Sequence, residues 1–150
     1  MFYLEQPEQF DDPIEVVGCF VEHNGKILQL ERNPNKPEGL TFGRPSGKVD
    51  AEDINHQYAI ARELFEETGI QAAPEQFKEV ATFYVVNELL NKNFEFHNYK
   101  LAFEQEPEVK LNPSEHIAYV WATKDQALSA KLMVEEDKCL DYYYKHVYQR

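Results

Sequence analysis

The chain has 150 residues, 43% of them hydrophobic and 13% aromatic, so it is near the commonest domain size, can bury a sizeable core and should fold alone as one domain. Fifteen Lys and Arg against 27 Asp and Glu give a formal net charge of −12, which disfavours general binding to a nucleic-acid backbone or to an anionic membrane. An anionic substrate would need cations to dock, and a divalent metal could supply them locally. The segment Met1 to Pro7 has neither a basic start nor a long apolar run, so no secretion signal or membrane span is expected and the predicted location is the cytoplasm.

In chain order, Ile14 to Val21 and Lys26 to Glu31 are apolar segments joined through Asn24-Gly25, a hairpin dipeptide, and both are predicted as strands. A loop rich in Pro and Asn runs from Arg32 to Gly39, followed by a Gly/Pro-punctuated segment from Phe42 to Val49. A polar stretch from Asp50 to Gln57 leads into a helix over roughly Asn55 to Thr68, which Gly69 should stop. Phe77 to Val86 and Glu95 to Phe103 alternate as long strands do, on either side of a polar loop with Asn87, Asn91 and Asn93. A further strand is expected at Ile117 to Ala122, a short helix at Thr123 to Ala130 and a longer helix at Leu132 to Tyr148. That mixture implies an α/β fold, a mixed sheet with helices on both faces. Cys19 and Cys139 lack paired spacing and read as small buried residues, not as a disulfide or metal pair.

The predicted helix carries Arg62-Glu63-Leu64-Phe65-Glu66-Glu67-Thr68-Gly69-Ile70. At about 100° per residue, Glu63, Glu66 and Glu67 share one narrow arc, while Ala61, Leu64, Phe65 and Thr68 fall on the other side. Like charges so spaced repel, and Arg62, four positions before Glu66, relieves only part of the repulsion. A solvated acidic face is the ordinary outcome of such a cluster, and a seat for a hard divalent cation is the other.

The surroundings favour the second. Gly47 through Ile70 resembles the signature box of the Nudix hydrolases, which cleave a nucleoside diphosphate linked to another group. The Arg62 to Ile70 half matches that box at every specified position. The front half departs from it: one residue too many lies between Gly47 and Arg62, and Ser46 replaces the first of two usual glycines. Counting forward from Gly47 places Asp53 at the box's front carboxylate, whereas counting back from Arg62 reaches Ile54; a helix N-cap is the competing role for Asp53. The resemblance extends to Glu115-His116 through Trp121, similar to the strand that closes many family members.

The resemblance implies an α/β/α sandwich and a Mg²⁺-dependent hydrolase, with Mn²⁺ as an alternative cation. Glu63, Glu66 and Glu67 would be the carboxylate ligands, the Gly47 carbonyl a further ligand, and Arg62 their orienting partner. Glu66 is the first choice for the group that takes a proton from water, and Glu115 the second. Other motifs fail on spacing. Gly43 to Lys48 lacks the intervals of a P-loop, Asp50, Glu52 and Asp53 lack the glycine and distal Glu of a calcium loop, and the five histidines form no His-Glu-any-any-His pair.

The chemistry that fits is attack by water on a phosphorus of a diphosphate link in a small-molecule substrate, where a cation neutralises charge and activates water. Arg32, Arg44 and Lys48 lie on segments beside the presumed site and could meet phosphate oxygens, or could be strand-end charges. Phe20, Tyr84, Phe94 and Phe96 could stack a base, though a strand aromatic is more often core. Two readings compete with the hydrolase: a Nudix-fold binding or regulatory module without turnover, which the intact Arg62, Glu63, Glu66 and Glu67 argue against, and an isomerase of an alkenyl diphosphate, which would need a Cys/Glu pair that neither cysteine supplies. Neither the diphosphate substrate nor an oligomeric state can be read from the residues.

Overall fold

In the computed structural model, which describes residues 1–148, the chain runs β1 (Phe2–Tyr3), β2 (Ile14–His23), β3 (Lys26–Arg32), β4 (Phe42–Gly43), β5 (Ser46–Lys48), α1 (His56–Thr68), β6 (Lys78–Asn87), β7 (Lys92–Phe103), β8 (His116–Ala122), α2 (Lys124–Ser129) and α3 (Glu136–His146). The sheet is mixed. Its strand order is β1-β6-β7-β2-β3-β4, with β5 paired to β2 and β8 to β3. At its centre β2 and β7 run parallel, Ile14 beside Phe94 through to His23 beside Phe103, and the other pairs are antiparallel.

Alternation along the central strands decides which residues face which helix. Val17, Cys19 and Val21 of β2 pack with Leu28, Leu30, Tyr99 and Leu101 against Ala59, Ile60 and Leu64 of α1. Phe20, Ile27 and Phe83 point to the opposite face, where Ala127 of α2 and Cys139, Leu140 and Tyr143 of α3 cover them. These two apolar layers make the expected α/β/α sandwich. Both cysteines are buried and free, and burial raises both thiol pKa values. Among the described residues no helix is long and apolar enough to cross a membrane.

The Asn24-Gly25 hairpin forms as expected, but β2 and β3 stay paired only at Glu22–Ile27 and His23–Lys26. Beyond that point β3 turns to β4 and β8, while β5 pairs with β2 through Val16–Lys48, Val17–Gly47 and Gly18–Ser46. The divergence of the two hairpin strands places Gly47 next to the centre of the sheet.

Three local expectations are corrected. The Asp53 carboxylate does not cap α1: Asn55 does, its side chain accepting from Tyr58 N–H at 2.8 Å. Phe65, expected on the apolar side of α1, is 51% exposed, whereas Leu64 and Thr68 are fully buried. The last helix starts at Glu136, not Leu132, because the backbone before it is already engaged. Phe42 N–H donates to the Lys131 carbonyl, Met133 N–H donates to the Phe42 carbonyl, and Glu135 has a left-handed φ of 71°.

Candidate functional site

α1 lies across the sheet with its acidic arc over β5. The approach is close enough that a Cβ at Gly47 would collide with the Glu63 carboxylate, so a larger residue here would displace that carboxylate from its place. Glu67 accepts the Ser46 backbone N–H at 2.9 Å. Ser46, where the first of two glycines is usual, therefore still supplies the backbone donor that the neighbouring carboxylate needs.

Arg62 is the centre of the acidic cluster. Its guanidinium donates to both oxygens of Asp53, at 3.0 and 2.8 Å, to Glu63 Oε1 at 2.9 Å, to both oxygens of Glu66 at 3.3 Å and to the Lys48 carbonyl at 3.2 Å. Asp53 also accepts the Asp50 N–H at 2.8 Å, which ties the loop to the helix. The hydrogen bonds from Arg62 hold the Asp53 carboxyl below its ordinary range, and the same contact with Asp53 is the main reason the arginine pKa is raised. Asp53 thus takes the front-carboxylate position reached by counting forward from Gly47. Ile54, reached by counting back from Arg62, lies between Asp53 and the Asn55 cap and is 81% exposed.

One arginine does not neutralise three glutamates. Burial pushes the Glu63 and Glu67 carboxyls above their ordinary range, most strongly at Glu67, where the charges of Glu63 and Glu115 add to the effect while the Ser46 N–H and Arg32 oppose it. Glu66 is 53% exposed. The carboxylates of Glu63, Glu66 and Glu67 share one face of α1 with a deficit of positive charge, which suits a hard divalent cation, but in the arrangement seen their oxygens do not all lie within 4.8 Å of one another, so an ion there would have to draw the side chains together.

The remaining predicted residues separate into two groups. Arg32 bonds the Pro37 carbonyl at 2.9 Å and lies close enough to Glu67 to lower its pKa; Glu115, paired with Lys36 at 3.2 Å, faces the same carboxylate. Beside Glu115, burial and the Arg32 charge hold His116 below the ordinary histidine range. Lys48 is exposed on β5. Arg44 is different, and the expectation that it meets phosphate gives way to another role. Its side chain is 1% exposed, donates to Glu136 at 2.8 and 3.0 Å and to Asn98 at 2.9 Å, and stacks on Phe20 with its guanidinium carbon 3.8 Å from the ring centre. The charge that could have attracted a phosphate is satisfied internally by Glu136 of α3.

A cavity of about 300 Å³ opens on the α3 face of the sheet. Val16, Phe94, Phe96, Val85 and Val134 give it apolar walls, Arg44 and Glu136 stand at its lining, and so does Ser46, whose N–H bonds Glu67, although none of the three α1 glutamates lines it. Phe94 and Phe96 are the two strand aromatics of the earlier four that line it. The alternation of Phe94 and Phe96 along β7 was the available signal; its distance in sequence from α3, which completes the wall, concealed the cavity.

A family model described as the NUDIX domain matches residues 12–143. The chain is 29% identical over 124 residues to a CTP pyrophosphohydrolase of Escherichia coli K12, covering 80% of this chain and 91% of that protein. A MutT protein of Methanosarcina mazei has a crystal structure that superposes with a TM-score of 0.70 at 25% identity, over 90% of this chain and 94% of the other. The NUDIX domain of Shewanella oneidensis NrtR, crystallised with ADP ribose, superposes with a TM-score of 0.77 over 96% and 94% of the two chains; at 15% identity that likeness concerns the fold. With the acidic site seated over Gly47 and the family model spanning most of its length, the chain belongs to the Nudix hydrolases and is a pyrophosphohydrolase of that type.

Proposed function

We propose that the protein hydrolyses the diphosphate linkage of a nucleoside diphosphate derivative, with Mg²⁺, or Mn²⁺ in its place, held by Glu63, Glu66, Glu67 and the Gly47 carbonyl. The observation that carries this reading is the position of Ser46, which donates its N–H to Glu67 of the acidic helix and also lines a largely apolar cavity of about 300 Å³. That volume is at the small end for small-molecule sites and suits a nucleoside part, with the phosphates directed to the glutamates. A CTP-hydrolysing relative and a fold neighbour holding ADP ribose support a nucleotide class without choosing within it.

When bound, the divalent cation supplies charge neutralisation on the phosphates and a lowered pKa for water. The chain's own residues arrange the rest. Arg62, fixed by Asp53, keeps Glu63 and Glu66 oriented and stays off the substrate. Glu66, the most exposed of the three glutamates, would take the proton from the attacking water, with Glu115 as the second choice. Phe94 and Phe96 offer ring surfaces to a base, and Arg32 and Lys48 are the cationic side chains left to approach phosphate.

A panel of nucleotides, nucleotide sugars and dinucleoside polyphosphates incubated with Mg²⁺ tests this. The best substrate is then cleaved in ¹⁸O-labelled water. Hydrolysis with the label in a phosphate-bearing product is expected; no cleavage across the panel, or label confined to a non-phosphate product, would contradict the reading.

A further inference from the structure

At the other end of α1 from the box glutamates, Glu15 of β2, His56 at the start of α1 and His97 of β7 bring three donor atoms within 4.8 Å of one another. The parallel pairing of β2 with β7 puts Glu15 beside Glu95 and Val17 beside His97, so Glu15 and His97 both project toward α1. Glu15 Oε1 lies 2.9 Å from His56 Nε2 and 3.4 Å from His97 Nε2, and Glu95 Oε1 stands 3.6 Å from the same His97 nitrogen.

The His97 ring is prepared for more than packing. Its Nδ1 is 3.2 Å from the Thr82 hydroxyl, while its Nε2 is buried with no hydrogen-bond partner. With Thr82 accepting the Nδ1 proton, the Nε2 lone pair is the free one, the arrangement in which a hydroxyl or carboxylate behind a histidine fixes the tautomer of a metal ligand. Burial and the neighbouring His56 hold His97 below the ordinary histidine range against the pull of Glu95 and Glu15, so the ring is neutral where a metal would bind. Donors around a tetrahedral ion with bonds of about 2.0–2.1 Å stand about 3.3 Å apart, and the two Glu15 separations bracket that value. The rings are stacked, with centres 3.7 Å apart and 20° between their planes, so a shared ion requires them to fan open. His56, 34% exposed, has room to turn, beside a cavity of about 150 Å³ lined by both histidines and Thr82.

We propose that Glu15, His56 and His97 form a second cation site, selective for Zn²⁺ or another late first-row divalent ion over Mg²⁺, that fastens the start of α1 to β2 and β7. Two imidazoles and a carboxylate are the donor set such ions prefer, whereas Mg²⁺ favours the all-oxygen box. The site shares no residue with Glu63, Glu66 and Glu67 and does not depend on the reaction proposed above.

Calorimetric titration of the whole protein with Zn²⁺, in a large excess of Mg²⁺ that fills the box, tests it. One Zn²⁺ per chain is expected, Co²⁺ in its place should give the strong visible absorption of a four-coordinate, tetrahedral ion, and His56→Gln and Glu15→Gln should each weaken Zn²⁺ binding by about tenfold or more. Glu66→Gln should leave it unchanged, and unfolding curves in EDTA confirm that the variants are folded. Absence of stoichiometric Zn²⁺ binding under Mg²⁺, wild-type affinity in both His56→Gln and Glu15→Gln, or loss of binding in Glu66→Gln overturns the proposal.

Discussion

Arg62 faces four acidic neighbours, Asp50, Asp53, Glu63 and Glu66, and the best geometry is with Asp53, whose side chain is 2% exposed. Asp53→Asn should therefore cost about 1 kcal/mol, as one charged partner of a buried group is lost while others remain, and should lower kcat through a loosened Arg62. Thermal unfolding and steady-state kinetics measure the two effects; unchanged kcat would show that Asp53 only supports the loop. Arg44 and Glu136 make the opposite case. Glu136→Gln should destabilise by about 3–5 kcal/mol, because it strands a buried guanidinium, and the double replacement Arg44→Met with Glu136→Leu should recover much of that in denaturant unfolding. The box residues could be read from the chain because helical spacing alone gathers Glu63, Glu66 and Glu67. Arg44 could not, since its fate depends on an acid 92 positions away and on stacking over Phe20.

Contact between two elements, β5 and α1, makes the acidic site. Gly47→Ala would push the Glu63 carboxylate from its place, so Mg²⁺ affinity should fall by about tenfold or more with the fold retained; titration calorimetry would refute this by finding wild-type affinity. At this scale the sequence was informative where signals are local. The Asn24-Gly25 turn, the Asn55 to Gly69 helix and the alternating β6 and β7 lie close to their expected places. It was silent where pairing is remote. The two-residue β1 gained strand form from Tyr84 and Val85, and the residues before Glu136 lost helical form to hydrogen bonds with Phe42. The one additional residue of the box was visible by counting, but counting alone left Asp53 and Ile54 as rivals, and the pairing of Arg62 with Asp53 is what separates them.

For the molecule as a whole, electrostatics links metal, proton and stability. A net charge of −12 and two carboxyls raised by burial mean that the folded state binds protons at Glu63 and Glu67 more tightly than the unfolded chain does. Without metal, their effect on stability is therefore most favourable at low pH and is lost as pH rises from the unfolded carboxylate range, about 4.3, through their raised folded values. A cation bound by the native state replaces the proton, so the rise in Tm on adding millimolar Mg²⁺ should be larger at pH 8 than at pH 5. Equal shifts at the two pH values, or none, would argue against these glutamates as the seat. The cavity and the Glu15, His56 and His97 cluster also belong to this scale. Each joins residues from three or more elements that are remote from one another in the sequence.

In the proposed function, turnover requires both the cation and the α1 glutamates. The most direct measurement is product release from the best diphosphate substrate across a Mg²⁺ titration, for the wild type beside Glu66→Gln, whose exposed position should leave Tm nearly unchanged. Saturable activation by Mg²⁺ in the wild type, abolished by EDTA, and a loss of about a hundredfold or more in Glu66→Gln are predicted. Turnover that persists in EDTA, or a folded Glu66→Gln variant with wild-type kcat, would contradict it.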